Sequence, residues 1–168
     1  MMEASDLVTR RQPLEREYTE NPASARVVFR SRGRVDPEGV ACRVETGHGI
    51  TVTGLHRATG GTGADRAAED MLLEALVGCA GVTLKAIASR QGIVIHDAQI
   101  EAEGTLDFRG TLGIADDAPV GFSAIRLVFR IVSDADDATL DDLIAATRAR
   151  CVVFQTLTCV PELVVARA

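Results

Sequence analysis

Residues 66–91 read RAAEDMLLEALVGCAGVTLKAIASRQ, and this stretch decides the fold. It contains no Pro, follows a breaker cluster at Gly60-Gly61-Thr62-Gly63, and closes at Gln91-Gly92. Asp65 stands where an N-cap belongs, so the pattern predicts one long helix from Arg66 to Gln91. Its Ala, Leu and Val residues run round most of the surface, which implies burial on nearly all sides. Gly78 and Gly81 flank Cys79. Each glycine costs about 1 kcal/mol against Ala inside a helix, a cost that marks the helix centre as a point of close contact.

Upstream the period is two. Val27 and Phe29 alternate with Arg26 and Arg30, a turn follows at Asp36-Pro37-Glu38-Gly39, and Val40, Cys42 and Val44 then share one face. A Gly-His-Gly turn at 47–49 leads to a third strand around Ile50 to Leu55, completing an antiparallel meander. The first 24 residues are charged and close at Asn21-Pro22, and read as an extension or arm before a domain spanning 25–168. Downstream, Ile93 to Leu106 and Phe122 to Val132 read as strands, joined through Arg109-Gly110-Thr111-Leu112-Gly113. Thr139 with Asp142 makes a capping-box signature. It opens a second helix to about Leu157, whose buried stripe is Leu140, Ile144, Thr147, Cys151 and Phe154. Pro161 to Val165 reads as a last strand. Three strands, a helix, two strands, a helix and a strand make an α+β protein.

The composition narrows the function. The chain has 168 residues, 46% of them apolar and 25% charged, enough for an ordinary core. With no Trp and 4% aromatics, there is no stacking platform for single-stranded nucleic acid. A net charge of −6 works against phosphate-backbone binding. No apolar run approaches the length that crosses a bilayer, and the N-terminus lacks a signal-peptide core. The expectation is a soluble, cytoplasmic protein with neither a nucleic acid nor a membrane as partner. The four cysteines, at 42, 79, 151 and 159, form no CxxC pair, and His occurs only at 48, 56 and 96. This spacing suits neither a disulfide scaffold nor a closed zinc site, so no metal and no cofactor is expected. If the cysteines do chemistry, it is thiol chemistry.

Cys79 lies mid-helix and Cys151 on the buried stripe of the second helix. Two readings stay open: both are small core hydrophobes, or they form a redox couple on touching helices. Peroxide reduction needs a thiolate, a fixed cation to lower its pKa, and a second thiol to trap the sulfenic acid. Arg suits the cation role, held in place by a carboxylate.

The run Glu69-Asp70-Met71-Leu72-Leu73-Glu74-Ala75-Leu76-Val77-Gly78-Cys79 resembles the central-helix motif of the OsmC/Ohr family (osmotically inducible protein C and organic hydroperoxide resistance protein). Glu69 matches the family's Glu ten positions before the reactive Cys, with Ala68 where the family has Pro. Cys151-Val152-Val153-Phe154-Gln155-Thr156-Leu157 is similar to the second Cys motif, with Val152 where many members have Pro. The connection 109–113, followed by Pro119-Val120-Gly121-Phe122, resembles the family's middle segment. The resemblance covers about residues 25–168. It implies an intertwined homodimer, with antiparallel sheets around two long central helices and each site at the dimer interface. It further implies Cys79 as peroxidatic and Cys151 as resolving cysteine, and a dithiol reductant such as a lipoylated protein. The family's Arg falls in Ser31-Arg32-Gly33-Arg34, where Arg32 is favoured over Arg34; the Gly-Gly-Arg signature of the Ohr branch is missing.

Ten residues of helix rise about 15 Å, so Glu69 and Cys79 do not meet directly along a straight helix. Either the helix breaks, or Glu69 acts through the Arg, or it serves the partner's site. Cys42 and Cys159 read as structural, the glycine cluster at 60–63 as a flexible loop, the three His as turn or surface residues, and Arg26, Arg30, Arg126 and Arg130 as solvent-facing. The functional expectation is an oxidoreductase of the oxidative-stress, antioxidant type: a thiol peroxidase reducing organic hydroperoxides, with Met71, Leu72 and similar residues favouring an alkyl tail. The rival is a non-catalytic small-molecule binding or redox-sensing dimer of the same fold.

Overall fold

The computed structural model describes residues 4–47 and 49–167; His48, at the centre of the expected Gly-His-Gly turn, lies outside the described residues. In chain order the elements are helix α1 (Ala4–Glu20), strands β1 (Arg32–Val35), β2 (Ala41–Thr46), β3 (Gly49–Gly54) and β4 (Arg66–Ala67), and helix α2 (Ala68–Gln91). Strand β5 (Ile95–Leu106), the one-turn helix α3 (Phe108–Thr111), strand β6 (Phe122–Ser133) and helices α4 (Asp137–Arg150) and α5 (Val152–Thr158) follow. This is the expected α+β class. The chain divides into two compact units. One holds Pro13–Glu74 and Glu103–Arg126, the other the chain up to Gln12, Ala75–Ala102 and the chain from Leu127 on.

In the first unit β1, β2, β3 and β4 form one sheet in that order. The antiparallel meander is as expected, with Arg32 opposite Glu45 and Cys42 opposite Thr53. Its first turn is closed by Asp36, whose Oδ1 accepts from the Glu38 and Gly39 amides at 2.9 Å each, a side-chain mimic of a backbone turn. A Cβ on Gly33 would come within 2.9 Å of the Cys42 sulfur, so only glycine lets β1 lie this close. Three expectations are corrected here. Val27 to Phe29 form no ladder among the described residues and lie exposed, Phe29 to 91%; the alternation is that of a strand, but the described residues supply no neighbour for it. The long helix starts at Ala68 instead of Arg66, because Arg66 and Ala67 first pair in parallel with Thr53 and Gly54. Asp65 therefore lies against Gly54 and caps nothing. The Gly-rich connection between β5 and β6 holds a helical turn that the sequence reading did not give: Asp107 caps α3, accepting from the Arg109 amide at 3.0 Å.

In the second unit α2 buries one stripe, Leu76, Ala80, Leu84 and Ala88, at four-residue spacing. Burial on nearly all sides is thus corrected within a single chain: Val82 stays 70% exposed. Leu84 and Ala88 join Leu143 of α4 in a core covered by Ile87, Ile93, Ile95, Ile100, Phe129 and Leu140. Gly92, at φ +71, ends α2 in the left-handed conformation glycine adopts freely, and the Ile93 amide donates back to Ala88 O at 2.9 Å. β5 and β6 pair as a two-stranded sheet. On this unit's part of it Arg130 meets Glu101 at 2.6 Å and His96 meets Asp134 at 2.9 Å. Rising numbers on one strand meet falling numbers on the other, so the pairing is antiparallel, as expected.

The second helix departs from its expectation in two ways. Its N-cap is Asp136, whose Oδ1 accepts from the Thr139 amide at 2.7 Å, so Thr139 is the third helical residue and not the cap. The expected continuous helix breaks at Cys151 into α4 and α5. The fully buried stripe is Leu143, Thr147 and Cys151. Pro161 to Val165 make no strand in this chain and lie exposed. One statement about length is also overturned: α2 has an 18-residue window of mean hydropathy 1.7, so by length and composition it is apolar enough to cross a membrane, with 28% of that window buried.

Candidate active site

Cys79 sits in the middle of α2, half-buried, and Cys151 is 1% exposed at the junction of α4 and α5. The junction explains the placement. Cys151 ends α4, with its amide donating to Thr147 O at 2.8 Å, and starts α5, with its carbonyl accepting from the Gln155 amide at 2.9 Å. Its own backbone is extended (φ −73, ψ 111), and its side chain caps neither helix. The first amides of α5 therefore have no partner inside the helix, and those of Val152, Val153 and Phe154 act on the two thiols electrostatically, pulling their pKa values down.

The two thiols perturb each other, and their acidities are driven apart. Burial pushes the Cys79 thiol up. The Val153 amide, the Cys151 side chain, the Val152 amide and the Thr83 hydroxyl outweigh it, and the net shift is downward. Cys151 is raised, first by burial and then by its neighbour Cys79, against the Phe154 and Val153 amides. Of the two thiols, Cys79 is therefore the more readily ionised. The stabilising groups in this unit are amides and a hydroxyl, where the sequence pointed to a guanidinium.

The sequence thus brings together Cys79 and Cys151, the two residues it pairs. Arg32 opens β1, exposed, and Arg34 lies two residues on in the same strand; Glu69 is the second residue of α2, half-buried. All three belong to the unit of the β1–β4 sheet. α2 runs unbroken from Ala68 to Gln91, which removes a helix break from the routes by which Glu69 serves the thiol. A Cβ on Gly81 would meet the Ile100 Cδ1 at 3.5 Å, whereas among the described residues nothing stands within 4 Å of a Cβ on Gly78. Cys42 is half-buried, and Cys159, expected to be structural, is instead exposed at the end of α5. Cys159 lines a shallow depression of about 350 Å³ with Ala149, Arg150, Val152, Gln155 and Thr156. Among the described residues no group of three or more His, Cys, Asp and Glu is placed to hold a metal. The amides of Val152 and Val153 and the hydroxyl of Thr83 escape sequence reasoning. Only Thr83, four residues after Cys79, carried a signal that could have found it.

Fold and site together define the class: an α+β protein whose two thiols meet where a long apolar helix packs on a broken one. The family model described as OsmC-like protein matches residues 61–165, and the chain belongs to that family. Solved structures agree on the fold. The OsmC-like protein of Mycoplasma pneumoniae superposes with a TM-score of 0.66 at 16% identity, over 80% of this chain and 89% of that one. A Legionella pneumophila protein described as organic hydroperoxide resistance protein OsmC, predicted redox protein, gives 0.61 at 17%, over 80% and 93%. The organic hydroperoxide resistance protein OhrB of Bacillus subtilis gives 0.54 at 19%, over 80% and 93%. Among curated proteins no sequence match was found.

Proposed function

We propose that the protein is a thiol peroxidase that reduces organic hydroperoxides. The observation that carries this is the adjacent pair of thiols with opposed acidities; family membership and relatives described as organic hydroperoxide resistance proteins support it. The Cys79 thiolate attacks the distal oxygen of ROOH. An S–O bond forms and the O–O bond breaks. Cys79 becomes the sulfenic acid, and the alkoxide leaves as ROH after taking a proton from water. Cys151 then attacks the Cys79 sulfur: an S–S bond forms, the S–O bond breaks, and the hydroxide departs as water with the Cys151 proton. The net reaction is ROOH plus two thiols to ROH, water and a disulfide. A dithiol reductant, such as a lipoylated protein, restores both thiols by exchange. The reading keeps Arg32 as the cation and Glu69 as its carboxylate partner, on the resemblance alone. It also takes a second copy of the chain as the partner that completes the site, and the apolar residues of α2 as the wall for an alkyl tail.

The test is the reduced protein with one equivalent of cumene hydroperoxide, followed by disulfide mapping. A Cys79–Cys151 disulfide is expected, with Cys42 and Cys159 reduced. Cys151→Ser should consume about one equivalent, stall, and over-oxidise with excess; Cys79→Ser should consume none. Arg32→Ala should slow Cys79, whereas Arg130→Ala should not. An unmodified Cys79 overturns the proposal and favours a non-catalytic binding or sensing dimer.

A further inference from the structure

We propose that Gln155 is a positioning residue of the two-thiol centre: its carboxamide takes the Arg148 carbonyl and so holds open the break between α4 and α5 at Cys151. The inference takes Cys79 as the reactive thiol, and so rests on the reading above, but it does not depend on the oxidant. In an unbroken helix each amide donates to the carbonyl four residues earlier, so the Arg148 carbonyl would belong to the Val152 amide. The chain keeps that rule as far as Cys151, whose amide donates to Thr147 O at 2.8 Å. It resumes the rule at Gln155, whose amide donates to Cys151 O at 2.9 Å. Between them the ladder lapses, because Cys151 is extended (φ −73, ψ 111). The Arg148 carbonyl accepts instead from the Gln155 Nε2 at 2.8 Å. A side chain of the second helix thus stands in for the amide that the break withdraws.

The exchange decides between two shapes of the joint. A bare carbonyl at the end of a helix needs a donor. With none supplied, the Val152 amide would return to Arg148, join α4 to α5 and make Cys151 an ordinary helical residue. Gln155 satisfies that carbonyl and removes the drive to close. The neighbouring residue reinforces the link: the Arg148 guanidinium lies 5.4 Å from the centroid of the Phe154 ring, a cation–π contact. Two consecutive residues of α5 therefore grip one residue of α4 across the joint, one through its backbone and one through its side chain. Gln155 is half-buried, which shields its bond from competing water. The Val152 amide that the open joint leaves free is among the groups that lower the Cys79 pKa, so loss of the Gln155 bond can be read at the other thiol.

The test is the pH dependence of Cys79 alkylation by iodoacetamide in the reduced full-length protein, resolved by peptide mass spectrometry. Gln155→Leu, close in size but without a donor, should move the midpoint upward and slow alkylation about fivefold below it, the effect of one lost hydrogen bond. Thr158→Ala, at the far end of α5, should leave the profile unchanged. In a Val152→Pro background no amide can return to Arg148, so Gln155→Leu should shift the midpoint no further. Gln155→Ala repeats the measurement if the leucine variant does not fold. A Gln155→Leu or Gln155→Ala midpoint equal to that of the parent overturns the proposal. So does a shift that adds in full to that of Val152→Pro, because Gln155 would then act by another route. If the Gln155→Leu midpoint moves but the parent consumes no hydroperoxide, the peroxidase reading falls and the Gln155 assignment stands.

Discussion

Cys79 and Cys151 differ by their surroundings alone. Both are penalised by burial, but two amides, a thiol and a hydroxyl outweigh that penalty at Cys79 and bring its pKa down from the ordinary thiol value. A lowered thiol pKa means that the thiolate persists as pH falls, and reactivity is lost only when pH drops through the lowered value. Alkylation of Cys79 should therefore stay fast at a pH where a free cysteine, with a pKa of about 8.5, is already sluggish. Cys151, raised and buried, should lag behind it across the same range. Site-resolved alkylation rates between mildly acidic and mildly alkaline pH check both; a Cys79 profile equal to that of a cysteine peptide would refute the assignment. The placement of the two cysteines was legible in the sequence, because Cys79 lay mid-helix and Cys151 on the buried stripe of the second helical pattern. The opposed shifts of their acidities were not, because they depend on amides that only the break at Cys151 releases.

That break is the decisive feature among the elements. With Cys151 extended and Val152 as the first residue of α5, the Val152 amide is spare and helps to lower the Cys79 pKa. Proline is tolerated at a first helical position and demands an extended residue before it, which Cys151 already is. Val152 is 71% exposed, so its side chain contributes little packing. Val152→Pro should keep the helix signal in circular dichroism yet shift the Cys79 alkylation midpoint upward, since one N–H is removed. The core below is a separate matter. Leu143 is fully buried against Leu84 and Ala88, and Leu143→Ala should destabilise the fold by about 3 kcal/mol, seen as a lower urea midpoint.

For the whole molecule, the unpaired surfaces share one character. Val27, Val28 and Phe29, the α2 residue Val82, and Val160, Leu163, Val164 and Val165 are apolar and largely exposed. Two of these segments have strand sequences without a ladder, and Gly78 on α2 faces open space. Such surfaces mark interaction sites, and the proposed second copy of the chain would supply the strands and the helix to cover them. Sedimentation at micromolar concentration should find a homodimer, and Val82→Asp should dissociate it or leave it poorly folded. A folded monomer of the parent protein would refute this.

The sequence by itself determined the α+β class, the meander, the long apolar helix with Cys79 at its centre, and the placement of Cys151 on a buried stripe. These follow from hydrophobic period and breaker residues, which are local. Only the tertiary structure decided that Arg66 and Ala67 pair with β3 before the helix starts, and that Asp136 caps α4. It also decided that Val27 to Phe29 and the C-terminal segment have no strand neighbour in this chain, and that the second helix breaks at Cys151. Each of these is a choice of hydrogen-bond partner between groups far apart in sequence or equally suited to two conformations. Local pattern does not rank such choices; packing against the rest of the chain does.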